Sequence, residues 1–174
     1  QYTYGVDWGK SNDWTVITPF NLNTFYAYPQ DRFNQVDWRL QKARIEVSAR
    51  KYSNALMRID STGIGDPVVE DLKSQNLNFD DESSFKFTEQ SRANLLNNLA
   101  ILLEQGKIKI PDDPILITEL EGMQMQTTEN GKLKVVSTTT HDDCVMSLAL
   151  AVWGVKEQIK QTETNFELYT TEYS

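Results

Sequence analysis

Four of this chain's aspartates close two strands and open the last helix. Asp7 closes "YTYGVD", Asp60 closes "ALMRID", and Asp142 and Asp143 open the apolar run "HDDCVMSLALAVW". Singly, each has an ordinary use, because an acid suits a turn or the first turn of a helix, where it complements the dipole. Together they point further. Carboxylates brought from three separate elements to one place repel one another unless cations hold them. An all-oxygen donor set selects Mg2+ or Mn2+. With one histidine and one cysteine in 174 residues, a zinc site or a serine or cysteine triad lacks the side chains it needs.

Other chemistry-bearing motifs are weaker. Gly9-Lys10-Ser11 resembles the end of a phosphate-binding loop, but the glycine required five positions before Gly9 is Tyr4, so an ATP site there is not expected. Asp13, one short loop after Asp7, is a candidate outer partner of the acids or a plain turn residue. Cys144 lies inside the apolar run and has no second cysteine to pair with, which fits a buried thiol in a reducing compartment.

The elements that must carry the acids follow from periodicity and punctuation. Residues 2–7, 13–20 and 24–30 are rich in β-branched and aromatic residues and are separated by turn-forming "WGKSND" and "NLN", which predicts an antiparallel meander. A helix is expected over 36–52 and a strand over 55–60. Asp66 and Pro67 then mark a helix start. Residues 91–106 carry Leu95, Leu99, Leu102 and Leu103 at helical spacing, with Ser91 as cap and Gly106 as stop. "KIKI" (107–110) reads as a short strand, and Asp113-Pro114 begins a helix over 112–123. Asn130-Gly131 predicts a β-hairpin. Residues 141–158 read as a buried helix. The fold class is α/β: a mixed central sheet, with a three-strand antiparallel meander plus parallel strands, flanked by helices and carrying an added hairpin.

The length suits one domain, taken as residues 1–160, with 161–174 as a polar tail. No stretch approaches the roughly 18–20 apolar residues of a membrane helix. Gln1 stands where a start methionine would, and a strand follows at once, so a segment of a longer polypeptide is expected. The net charge of −8 disfavours nucleic acid unless metal ions or partners supply positive charge.

The order of "GVDWG" on the first strand, "IDSTGIGDPVVEDL" after the crossover and "HDDCVMSLALA" opening the last helix resembles the nuclease domain of the bacteriophage large terminase subunit, over roughly residues 3–155. That resemblance implies a ribonuclease H-like fold and an endonuclease that cuts concatemeric viral DNA during genome packaging. It implies two Mg2+ or Mn2+ ions held by Asp7, Asp60 and Asp143, with Asp142 an additional or alternative ligand. Asp7, Asp60 and Asp143 would be the catalytic acids, in two-metal phosphodiester hydrolysis. It also implies double-stranded DNA as partner, an upstream ATPase domain in the same polypeptide, the small terminase subunit and portal, and action in the host cytoplasm rather than at a membrane. Lys10, Lys132 and Lys134, near the first turn and on the hairpin, are the candidate DNA contacts or else solvated surface lysines.

Three other classes compete. Sugar-kinase-like phosphotransferases share D-x-G on the first strand but need two such cores. Resolvase- and transposase-type nucleases share the acids but are usually more basic. A non-catalytic interaction module could keep the fold without the metals.

Overall fold

Alternation along the first strand decides which side of the sheet receives the acids. In β1 (Tyr2–Asp7), Tyr4 and Val6 point to one face and join a core with Ile17, Ile45, Met57, Ile59 and Leu72. Thr3, Gly5 and Asp7 therefore point to the other. The computed structural model describes residues 1–9, 13–62, 66–127, 130–131 and 133–159.

β1 pairs antiparallel with β2 (Thr15–Asn21), which continues to β3 (Tyr26–Ala27) and β4 (Asp31–Phe33). Helix α1 (Trp38–Lys51) starts where the Asp37 side chain accepts from Arg39 N. It leads to β5 (Leu56–Asp60), which lies parallel beside β1 with Val6 opposite Ile59. That register sets Asp7 and Asp60 side by side at the strand ends. Helix α2 (Asp66–Ser74) follows, then β6 (Ser84–Phe85), which pairs parallel with β5 so that Asp60 faces Phe85. The sheet order is β3-β2-β1-β5-β6, with β4 also on β2.

The second core lies on the opposite face. Helix α3 (Glu89–Glu104) buries Leu95, Leu96, Leu99 and Leu102, and α4 (Pro114–Glu121) buries Leu116. Both join α5 (Asp143–Ala151), whose nine residues include eight that are buried, Cys144 to Ala151. The hairpin of β7 (Met123–Thr127) and β8 (Leu133–Ser137) forms a separate two-stranded sheet. Its Met123 and Val135 pack against this core.

Several expectations shift. The strand expected over 24–30 shortens to β3, with β4 following just beyond it, and Phe25 takes a positive φ of 52° just before β3. Ser91 is not the cap of α3: Thr88 is, and Ser91 completes a reciprocal capping box with it. Leu96 rather than Leu103 fills the fourth buried position, with Leu103 only partly buried. "KIKI" makes no strand beyond an isolated parallel bridge from Lys109 to Tyr26. The final helix stops at Ala151, and helical structure resumes over 155–159 beyond Gly154, which takes a φ of 83° that favours glycine. The 161–174 tail lies outside the described residues. No helix among the described residues is long and apolar enough to cross a membrane.

Candidate metal centre

A crevice of about 300 Å³ opens at the carboxyl ends of β1 and β5, against the N-terminus of α5. Asp7, Asp13, Asp60, Asp142 and Asp143 all line it, with Trp8, Thr62, Phe87 and Met146 among its walls. The four expected metal-binding acids thus share one crevice, and Asp13 stands at its edge. This is also where an open sheet of this kind offers side chains to a ligand.

The acids are held differently. Burial pushes the Asp7 carboxyl well above the usual carboxylate range, and the charges of Asp60, Asp143 and Asp142 add to the effect, while Arg92 opposes it. Asp60 accepts a hydrogen bond from the Thr62 amide at 2.8 Å, and Thr62 Oγ1 in turn accepts from the Phe87 amide at 2.7 Å. This ties Thr62, just after β5, to Phe87, just after β6. Burial also raises the Asp143 carboxyl, against the opposing charge of His141. Asp143 Oδ2 is buried and accepts no hydrogen bond, and His141 Nδ1 is 3.4 Å away. Asp142 is paired with the Arg92 guanidinium.

The doublet opens α5 without capping it. Asp142 occupies the N-cap position, yet its side chain makes no capping hydrogen bond. Glu119 of α4 takes that role from outside: its Oε2 accepts from the amides of Cys144 at 2.8 Å and Val145 at 3.2 Å. Asp142 and Asp143 are thereby left facing the crevice.

These donors fit a hard divalent cation. They are carboxylates, one carries a buried oxygen that accepts no hydrogen bond, and their mutual repulsion is what an added cation relieves. Among the described residues, no three His, Cys, Asp or Glu side chains stand close enough together to hold one metal ion as they are placed.

The model of the terminase RNase H-like domain family matches residues 4–153. The chain belongs to that family. Over 153 residues it is 33% identical to the large terminase subunit of Thermus virus P23-45, covering 86% of this chain and 31% of that protein. It therefore spans about a third of the length of that curated relative. The crystal structure of the large terminase nuclease from thermophilic phage G20c is similar at a TM-score of 0.77 and 30% identity, covering 88% of this chain and 81% of that one. The same phage nuclease with bound magnesium matches at a TM-score of 0.77 and 32% identity, covering 86% and 79%. The fold of this terminase domain is the ribonuclease H-like one, with a mixed sheet flanked by helices.

Of the three lysines expected at DNA, Lys10 and Lys132 lie outside the described residues of this terminase domain. Lys134 does not line the crevice. It projects from β8 to Glu89 at 3.6 Å, one turn before Arg92 on α3. Two residues important to the site escape sequence reasoning. Arg92 is the one basic side chain among the described crevice residues, and its signal was its isolation, since α3 carries no other basic residue. Glu119 looks like a surface acid in "ITELEG", but it is 3% exposed.

Proposed function

We propose that this chain is the metal-dependent endodeoxyribonuclease domain of a large terminase subunit, cutting concatemeric viral DNA during genome packaging. The observation that carries the reading is the convergence of Asp7, Asp60, Asp142 and Asp143, from three elements, on one crevice. Membership of the terminase family and the magnesium-bound relative support it.

Asp7, on the inner side of the sheet, and Asp60 beside it would hold Mg2+ or Mn2+ together with Asp143, with Asp142 as a further ligand. Bound divalent ions supply the Lewis acidity that activates water and steadies charge on a phosphodiester. The chain's own part is to fix the carboxylates. Thr62 orients Asp60, Glu119 holds the start of α5, and burial with the neighbouring acids makes the charged form of Asp7 costly without a cation. Phe87, Trp8 and Met146 give the crevice apolar walls, which strengthen electrostatic contacts inside it.

Lys134 at the α3 rim, together with Lys10 and Lys132, would contact the DNA backbone. The nuclease domain is assigned to 1–160, with 161–174 as a tail. Double-stranded DNA, an upstream ATPase domain, the small terminase subunit and the portal are the proposed partners, in the host cytoplasm.

The test is cleavage of supercoiled plasmid in Mn2+, Mg2+ or EDTA, beside Asp60→Asn. Metal-dependent nicking that vanishes in the variant is expected. No cleavage in any metal, with no Mn2+-dependent rise in melting temperature, would overturn the reading and favour an interaction module of the same fold.

A further inference from the structure

Asp142 and Asp143 are neighbours with opposite commitments. Asp143 has a buried carboxylate oxygen with no hydrogen-bond partner, whereas Asp142 is bound to Arg92 from another helix. The pair is not required to cap α5, because Glu119 does that. It is not sealed away either: the Arg92 and Asp142 side chains are 33% and 22% exposed. An ion pair with that access to water is worth little and can be exchanged.

Building on the metal reading above, we propose that Arg92 competes with a divalent ion for Asp142. The guanidinium neutralises Asp142 through Oδ2 while the crevice lacks cations, and it must leave that oxygen before Oδ2 can serve as a ligand. Arg92 is therefore a positioning residue that makes ion binding unequal. Ligation through Asp7, Asp60 and Asp143 leaves Arg92 in place, while ligation through Asp142 Oδ2 displaces it. The pairing also spares the metal-free site some repulsion, since Arg92 opposes the charges around Asp7.

The proposal is tested by Mn2+ binding at equilibrium, read by titration calorimetry and by the spin resonance of free Mn2+. The proteins are the wild-type chain, Arg92→Gln, Asp142→Asn and the double variant, each first melted in EDTA to establish that it folds. Arg92→Gln is expected to bind Mn2+ about two- to fivefold more tightly. That gain should disappear in the Asp142→Asn background, because only then does it arise from the pair itself. Arg92→Lys keeps the charge but moves it to a compact ammonium on a flexible stem. It should show a smaller gain, and it serves as the probe if the glutamine variant does not fold.

An unchanged or weaker affinity in Arg92→Gln overturns the exchange. So does a gain that persists with Asn at 142, which would mark a general charge effect. If no variant, wild type included, binds Mn2+, the metal reading falls and this inference falls with it.

Discussion

Ser147 donates its hydroxyl to the carbonyl oxygen of Gly5 at 3.0 Å, and this contact lies midway in a register between α5 and β1. Thr3 donates to the Ala151 carbonyl at 2.5 Å, one step earlier on the strand and one turn later on the helix. Carried one step the other way, the same register sets Asp143 against Asp7. Two strand residues cover about 6.6 Å and four helix residues about 6 Å, so the two elements stay matched. Ser147 also shares a hydrogen bond with Thr18 at 2.7 Å, and Thr18 in turn accepts from Gln30 at 2.7 Å. A buried polar thread thus fixes where the last helix places its acids.

Gly5 is what lets the helix come so close. A β-carbon there would stand 2.0 Å from the Ser147 carbonyl oxygen and 2.5 Å from the Ala151 amide, both backbone atoms that cannot rotate away. Gly5→Ala is expected to push α5 off the sheet and cost about 3 kcal/mol, read from urea unfolding. Mn2+ binding should weaken in the same variant, because Asp143 moves with the helix. An alanine variant as stable as wild type would contradict this account of the contact.

Asp7 predicts a pH dependence of the metal-free protein. Its carboxyl is raised by burial and by the neighbouring acids, so the folded chain holds a proton there more tightly than the unfolded chain does. The stability linked to that proton is full below the ordinary carboxylate pKa of about 3.9. It is lost as pH rises through the folded-state value. Asp7→Asn removes this loss. In EDTA, calorimetry from pH 5 to 8 should show the variant melting above wild type near neutrality, with the difference shrinking toward acid, and plasmid cleavage is expected to be lost in the same variant. A variant that melts below wild type at pH 8 would show that Asp7 is not strained by its neighbours.

The acids were legible in the sequence because strand alternation and element ends are local facts. Asp7 and Asp60 close their strands, and the hairpin at Asn130-Gly131 follows from turn chemistry. What lay hidden depends on tertiary convergence. Arg92 sits in the first turn of an amphipathic helix, where a basic residue reads as solvated until Asp142 is seen across from it. Glu119 is separated by 25 residues from the amide it caps, and no local pattern announces such a distant cap. β6 has two residues, too few for alternation to register. "KIKI" alternates as a strand would, but its single bridge to Tyr26 leaves no ladder to extend it.

The acids should be unequal when removed. Losing a ligand from a metal site forfeits several kcal/mol of charge stabilisation, so Asp60→Asn and Asp143→Asn are each expected to slow plasmid cleavage on the order of 100-fold or more. Asp142 shares its carboxylate with Arg92, and Asp142→Asn should cost less, about tenfold. Initial rates in saturating Mn2+ make the comparison. Equal losses at 142 and 143 would mean that both carboxylates are full ligands.

Glu119 ties the stability of α5 to the geometry of its acids. It is buried, its Oε2 holds the amides of Cys144 and Val145, and burial raises its carboxyl despite those two bonds. Asp142 does not cap in its place, so Glu119→Ala leaves two amides at the positive end of the helix without their acceptor. The expected cost is about 1–3 kcal/mol, seen as a lower urea midpoint. Glu119→Gln keeps an acceptor in nearly the same volume and should recover part of that loss, falling short by what the charge adds at a helix N-terminus. Cleavage should follow the same order, because Asp143 is bonded directly to the residue that Glu119 holds. If both variants unfold at the wild-type midpoint, then α5 is positioned by its packing on Gly5 alone, and the buried acid has no part in aiming Asp143.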